Sequence, residues 1–217
     1  MPFSVNAVQT TKTDLFQVTG QGSVTAVPDT ANISFGVTKQ ASTVTDAQNQ
    51  TNIAIKNIQD ALAKMGVTTN DIKTTSYNVN PNYTNSQTIS GYTVTQNIDL
   101  KVEPLSKVNQ VIDTITQNGA NIVGQVNFGF TDSKQQQLEQ EARQGAVNDA
   151  KEKANALAKA AGVVLGPIIN IQENNPQSPI GVPFVAQAKV ADASAPTSVT
   201  PGESTVTTSI TLSYQLY

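Results

Sequence analysis

The side chains that could do chemistry in this chain are carboxylates, lysines, tyrosines and hydroxyls, because it contains no histidine and no cysteine. Without histidine the usual general base, the commonest metal ligand and the group that titrates near neutrality are all missing. Without cysteine there is no thiol chemistry and no disulfide. The usual zinc sites and Ser-His-Asp triads are therefore closed to the chain by itself. Among the acids, Glu139 and Glu141 stand two apart in a helical pattern and do not share a face. Asp149 and Glu152 could converge, but Arg143, Lys151 and Lys153 lie close by and ordinary surface pairing accounts for them. Asp29 after Pro28, and Asp71 after Thr68-Thr69-Asn70, read as turn residues. No EF-hand loop, phosphate-binding loop, nucleophile elbow or zinc-protease helix is present. The expectation is no catalytic residue, no metal and no cofactor. A hydrolase built on carboxylates ranks third, behind two non-enzymatic readings.

Two other groupings invite a binding role. Gly20-Gln21-Gly22 is like the start of a dinucleotide loop, but a strand pattern follows it where a helix is required, so a nucleotide site is rejected. Tyr77, Tyr83 and Tyr92 cluster around a hairpin and could stack on a ligand or partner, although tyrosine also suits half-buried strand faces.

These residues must be positioned by a regular series of elements. The longest proline-free stretch, Ser133 to Ala161, predicts one helix, with Ser133 and Gln136 as a capping box and Gly162 beyond its end. Ala142, Ala146, Ala150, Ala154, Leu157 and Ala161 recur at steps of three and four, so a face of small residues should pack very closely on its neighbour. Glu139 to Arg143 and Asp149 to Lys153 have the (i, i+4) order that supports a helix. A second helix is expected over 43–65, with Ala47, Thr51, Ile55, Ile58, Leu62 and Met65 inward and Gly66 at its end. A third begins at Pro104 and buries Leu105, Val108, Val111, Ile112 and Ile115.

Strands are expected over 16–27, 30–40, 72–82, 92–102, 121–130, 165–173 and 204–217, the first two as a hairpin across Pro28-Asp29. The order β-β-α-β-β-α-β-α-β-β reads as α+β, a mainly antiparallel or mixed sheet with three helices packed on it. Residues 30–82 and 92–130 resemble a loose internal duplication. The expected organisation is an N-terminal arm over 1–15 and one domain over 16–217, interrupted by a long loop at 174–202.

Composition narrows the partners. The 217 residues carry a formal net charge of −3, and only 13% are charged, with Thr, Asn, Gln and Ser supplying the polarity. No basic stripe invites nucleic acid. The most apolar run, VVLGPIINI, is too short to span a membrane. The start is not an intact signal peptide, so the chain is either cytoplasmic or has lost a leader.

The segment VTGQGSVTAVPDTANISFGV resembles the opening of the SIMPL-domain family, a V-x-G-x-G strand followed by a Pro-Asp-x-Ala turn. LAKMGVTTNDIKTTSYNVNPNY, GYTVTQNIDLKV, EARQGAVNDAKEKANALAKAAGVVLG and PGESTVTTSITLSYQL continue the family's series in order, over residues 16–217. The resemblance implies an exported protein of the periplasm or cell surface, whose leader is absent from the chain given. Family members include immunogenic proteins, proteins associated with oxidative stress, and ring-like or channel-like homo-oligomers. No catalytic residues come with it. The first expectation is thus a non-enzymatic, self-assembling protein of the cell envelope whose partner is itself. Phe3, Val5, Val8 and Leu15 in the arm, with Phe184 and Val185 in the loop, are the expected assembly contacts. The alternative is a module that binds a ligand or partner at the 72–102 hairpin.

Overall fold

A computed structural model describes residues 15–84, 88–180 and 198–217, the side chains of 175–180 excepted. The described residues form β1 Leu15–Ala26, β2 Thr30–Ala41, α1 Val44–Lys64, β3 Ile72–Tyr83, β4 Ile89–Val102, α2 Val108–Gln117, β5 Ile122–Gly129, α3 Asp132–Ala161, β6 Leu165–Ile180 and β7 Ser204–Leu216. Class and element order are those expected. The strands divide between two sheets, β1-β7-β6 and β3-β4-β2-β5. Two compact units result, one holding β1, most of α3, β6 and β7, the other holding β2 to β5 with α1 and α2.

In the four-stranded unit, β2 lies between β4 and β5 and runs antiparallel to both. β3 adds antiparallel to the far side of β4. Each of β2-α1-β3 and β4-α2-β5 is a β-α-β whose two strands leave room for one strand of the other. This is the split arrangement of ferredoxin-like folds, and it gives the suspected duplication a geometric form. Alternation on β2 turns Ile33, Phe35 and Val37 to the side where β4 presents Val94, Ile98 and Leu100. Ile55, Ile58 and Leu62 of α1 and Val111, Ile112 and Ile115 of α2 cover them. The Asp46 N–H donates to Thr43 Oγ1 at 3.1 Å, capping α1. Gly66 and Gly119 end the two helices with φ of +86° and +119°, in the left-handed region.

In the three-stranded unit β7 is central. The Thr19–Thr211 and Thr25–Thr205 hydroxyl pairs, at 2.9 and 3.0 Å, hold β1 antiparallel to it. Helix α3 packs on this sheet through Leu138, Ala142, Ala146, Ala150, Ala154 and Ala158, every fourth residue. The core beneath it consists of Val18, Ile210, Leu212 and Tyr214. Gly20 and Gly22 explain the fit: a Cβ on Gly20 would meet Ala150 Cβ at 2.7 Å and run into the Ala146 carbonyl, and one on Gly22 would run into the Ala142 carbonyl. Their role is to let a helix backbone approach a strand.

Four expectations are corrected. β1 and β2 do not pair as a hairpin, since they lie in different sheets. Pro28 has no N–H, and the Asp29 N–H bonds instead to the Gly129 carbonyl at 3.0 Å. Leu157 and Ala161 are exposed, and Leu138 and Ala158 take their places. A contact line that keeps to a strict four-residue ridge winds around the helix, as it must over a twisted sheet, and leaves Leu157 to one side. Helix α3 starts at Asp132, so Ser133 lies inside it; ahead of it the Thr131 N–H donates to Asp29 Oδ1 at 2.7 Å. Finally, β6 continues past Glu173 to Ile180, where the sequence pattern suggested loop.

Candidate functional site

Of the acids that sequence reading weighed as catalysts, Asp29, Asp71, Glu139, Glu141 and Asp149 are engaged with neighbours. Glu139 accepts from Gln135 Nε2 at 2.6 Å and Glu141 from Gln137 Nε2 at 2.8 Å. Arg143, expected to pair with Glu139, reaches across to Glu173 on β6 at 2.9 Å. Asp149 pairs with Lys153 at 2.7 Å as expected, and the same oxygen accepts the Gln21 N–H at 2.7 Å. The Lys153 hydrogen bond first, and the Gln21 N–H second, hold the Asp149 carboxyl below its ordinary range. Asp71 is held down in the same way by the Thr68 hydroxyl and then the Thr68 N–H, as part of a capping box. Lys101 is raised by its bond to Glu103 at 2.8 Å. Among the described residues no group of three acids could hold a metal ion. These carboxylates therefore cap backbone N–H groups and pair with neighbouring side chains, and neither hollow described below is lined by an acid.

Tyr77 is placed apart from Tyr92. Tyr77 and Tyr83 are 42% and 62% exposed, while Tyr92 is half-buried. Tyr77 lies opposite Gln96, and Tyr92 lies opposite Pro81. Four residues of strand separate those two rungs, about 13 Å, so one ligand ring is not sandwiched between the two rings. Val79 and Ile89 are exposed on the same hairpin, which leaves an apolar surface on an edge of the sheet.

Two open hollows lie elsewhere on the described residues. One, of about 460 Å³, lies in the four-stranded unit and is lined by Lys39, Gln50, Ile53, Asn57, Gln117 and Asn118. Its amides and the single Lys39 ammonium can donate hydrogen bonds to a ligand, and no carboxylate stands beside them in the lining. The other, also about 460 Å³, lies in the three-stranded unit between β1 and α3, lined by Gln17, Val18, Thr19, Lys153, Ala156 and Leu157. Leu157, 52% exposed, is its largest apolar side chain. Sequence reading missed it because a leucine among alanines at helical spacing reads as core.

The sheet edges differ in how they are protected. β3 carries Lys73 and Pro81 and two register shifts. β6 carries Pro167 and several shifts. β1 has no charged residue, and Asp149 covers it at Gln21 alone. β5 has neither charge nor proline, has one register shift against β2, and exposes Ile122 and Val123. Charges and prolines are usual guards of a free edge, and by these two β1 and β5 are the least guarded edges among the described residues. Of the expected assembly contacts, Leu15 is 47% exposed at the start of β1. Phe3, Val5, Val8, Phe184 and Val185 lie outside the described residues.

Comparison with known proteins places this arrangement in company. The family model described as SIMPL, a protein of unknown function, matches residues 16–214. The chain is 30% identical to the 26 kDa periplasmic immunogenic protein of Brucella melitensis over 226 aligned residues, which cover 99% of this chain and 89% of the relative. It is 27% identical to the uncharacterized protein YggE of Edwardsiella ictaluri over 79% of this chain and 73% of that one. With the YggE of Escherichia coli K12 it shares 24% identity over 70% of this chain and 63% of that one.

Proposed function

The chain belongs to the SIMPL family, and from that premise we propose that it is a non-enzymatic protein working outside the cytoplasm, in the periplasm or at the cell surface, as a self-assembled homo-oligomer with an envelope or stress-related role. The observation that carries the reading is the pair of uncharged free edges, β1 and β5. An unguarded edge is a ready template for pairing with a strand of another chain. A contact of this kind between unlike surfaces closes a ring or continues as a filament. The extracytoplasmic setting rests on the relatives named periplasmic. Size-exclusion chromatography with light scattering on the purified chain tests the assembly. A defined multiple of 22.9 kDa is expected. A monomer at micromolar concentration and above would refute it.

A second reading keeps the 72–102 hairpin as a surface for a ligand or partner, favoured by the exposed Tyr77, Val79, Tyr83 and Ile89. A monomer whose melting temperature rises with an added envelope component would select this reading over the first.

A further inference from the structure

The groove between β1 and α3 has the form of a strand-addition site. The Gln21 N–H faces away from β7, since it is bonded to Asp149 on α3. Backbone direction alternates along a strand with a period of two, so Gln17 and Thr19 present their N–H and C=O groups to the same free side. These two residues line the groove, and Leu157 and Ala156 lie along it. A strand added at Gln17 and Thr19 would satisfy both sets of backbone groups and cover the Leu157 side chain, now 52% exposed. Asp149 closes the edge further on, at Gln21, which limits the added strand to the first part of β1.

We propose that the occupant is the N-terminal segment of a second copy of this chain, through Phe3, Val5 and Ala7; this rests on the assembly reading above. Fourteen residues precede Leu15, and the stretch Phe3-Ser4-Val5-Asn6-Ala7 alternates apolar and polar, the pattern of a strand with one covered face. Residues 3–8 carry no charge, and the groove's one ammonium, Lys153, is already paired with Asp149. An uncharged strand therefore meets an uncharged groove. A tight turn just ahead of Leu15 would instead lay the chain's own Thr10 opposite Gln17 and send Val5 and Phe3 past the Asp149 cap. The apolar stretch meets Leu157 when it comes from a neighbour.

The absence of cysteine makes the test clean in the full-length chain. Val5→Cys and Leu157→Cys are made as separate variants, mixed in equal amounts and oxidised. A covalent heterodimer is expected, about tenfold above that from Val5→Cys mixed with Asn155→Cys, because docking raises the local thiol concentration. A cross-link within one chain in the Val5→Cys/Leu157→Cys double variant, with no heterodimer from the mixture, overturns the proposal in favour of the chain's own arm. No cross-link above the control from a chain that is oligomeric by light scattering overturns this site and leaves the assembly reading standing. A monomeric chain without cross-link overturns both. As a second measurement, Leu157→Asp in the full chain is expected to reduce particle mass while circular dichroism and melting temperature stay unchanged. Unchanged mass in that variant would also count against the site.

Discussion

A Cβ added to Gly20 would stand 2.7 Å from the Cβ of Ala150. The V-x-G-x-G strand and the alanine ridge of α3 are two halves of one contact, separated by more than a hundred residues. Gly20→Ala should therefore destabilise the fold by about 3 kcal/mol, since helix backbone as well as a methyl stands in the way. Ala150→Leu or Ala154→Leu should cost about 1–3 kcal/mol for the same reason. Asn155→Leu, on the exposed side of α3, should be nearly silent. Urea unfolding of the four variants checks this, and equal tolerance at 150 and 155 would mean the packed face is wrong.

The Thr208 side chain, on the helix-facing side of β7, is buried and its hydroxyl has no hydrogen-bond partner. Valine has nearly the same shape without the desolvated polar atom. Thr208→Val should thus raise stability by about 1 kcal/mol, seen as a higher urea midpoint with an unchanged slope. A drop would mean that the hydroxyl is satisfied in solution.

Acid should undo the link between Asp149 and β1. The folded-state pKa lies below the ordinary 3.8, so the stability it contributes is present above that value and is lost as the pH falls through the lower, folded value. Asp149→Asn should lower the urea midpoint at neutral pH. The difference from the unaltered chain should close as the pH is taken below 3.8. A gap that persists unchanged in acid would mean that the charge on Asp149 is irrelevant.

Deleting residues 2–14 should leave the circular dichroism of the remaining chain intact and reduce the mass or order of the particle. If the truncated chain keeps both its mass and its melting temperature, the arm is a passive tail.

Chelators and thiol reagents should leave the melting temperature unchanged, because the chain has neither histidine nor cysteine to offer. Tight binding of one zinc per chain, measured by calorimetry, would contradict this.

Local pattern was enough to place every helix and strand in order. The period-two alternation of Ile33, Phe35 and Val37 and the spacing of Ile55, Ile58 and Leu62 describe which face of one element is wet, a property that each element carries within itself. The same local signals say that the alanines of α3 face something close, but not what. That its neighbour is the Gly20–Gly22 segment depends on a pairing between remote parts of the chain.

The tertiary structure alone decided four further points. β1 joins β7 and not β2, because the strand after a turn need not be the partner when the turn's own backbone is tied elsewhere, here by the Asp29 N–H to the Gly129 carbonyl of β5. Arg143 takes Glu173 from β6 in place of the Glu139 one turn away, since a charge chooses among all acids within reach. Asp149 is a cap on a strand edge, invisible to a reading that pairs it only within its helix. Leu157 is left outside because the ridge that packs is set by the twist of the sheet beneath it, and twist is a property of assembled strands that no single segment encodes.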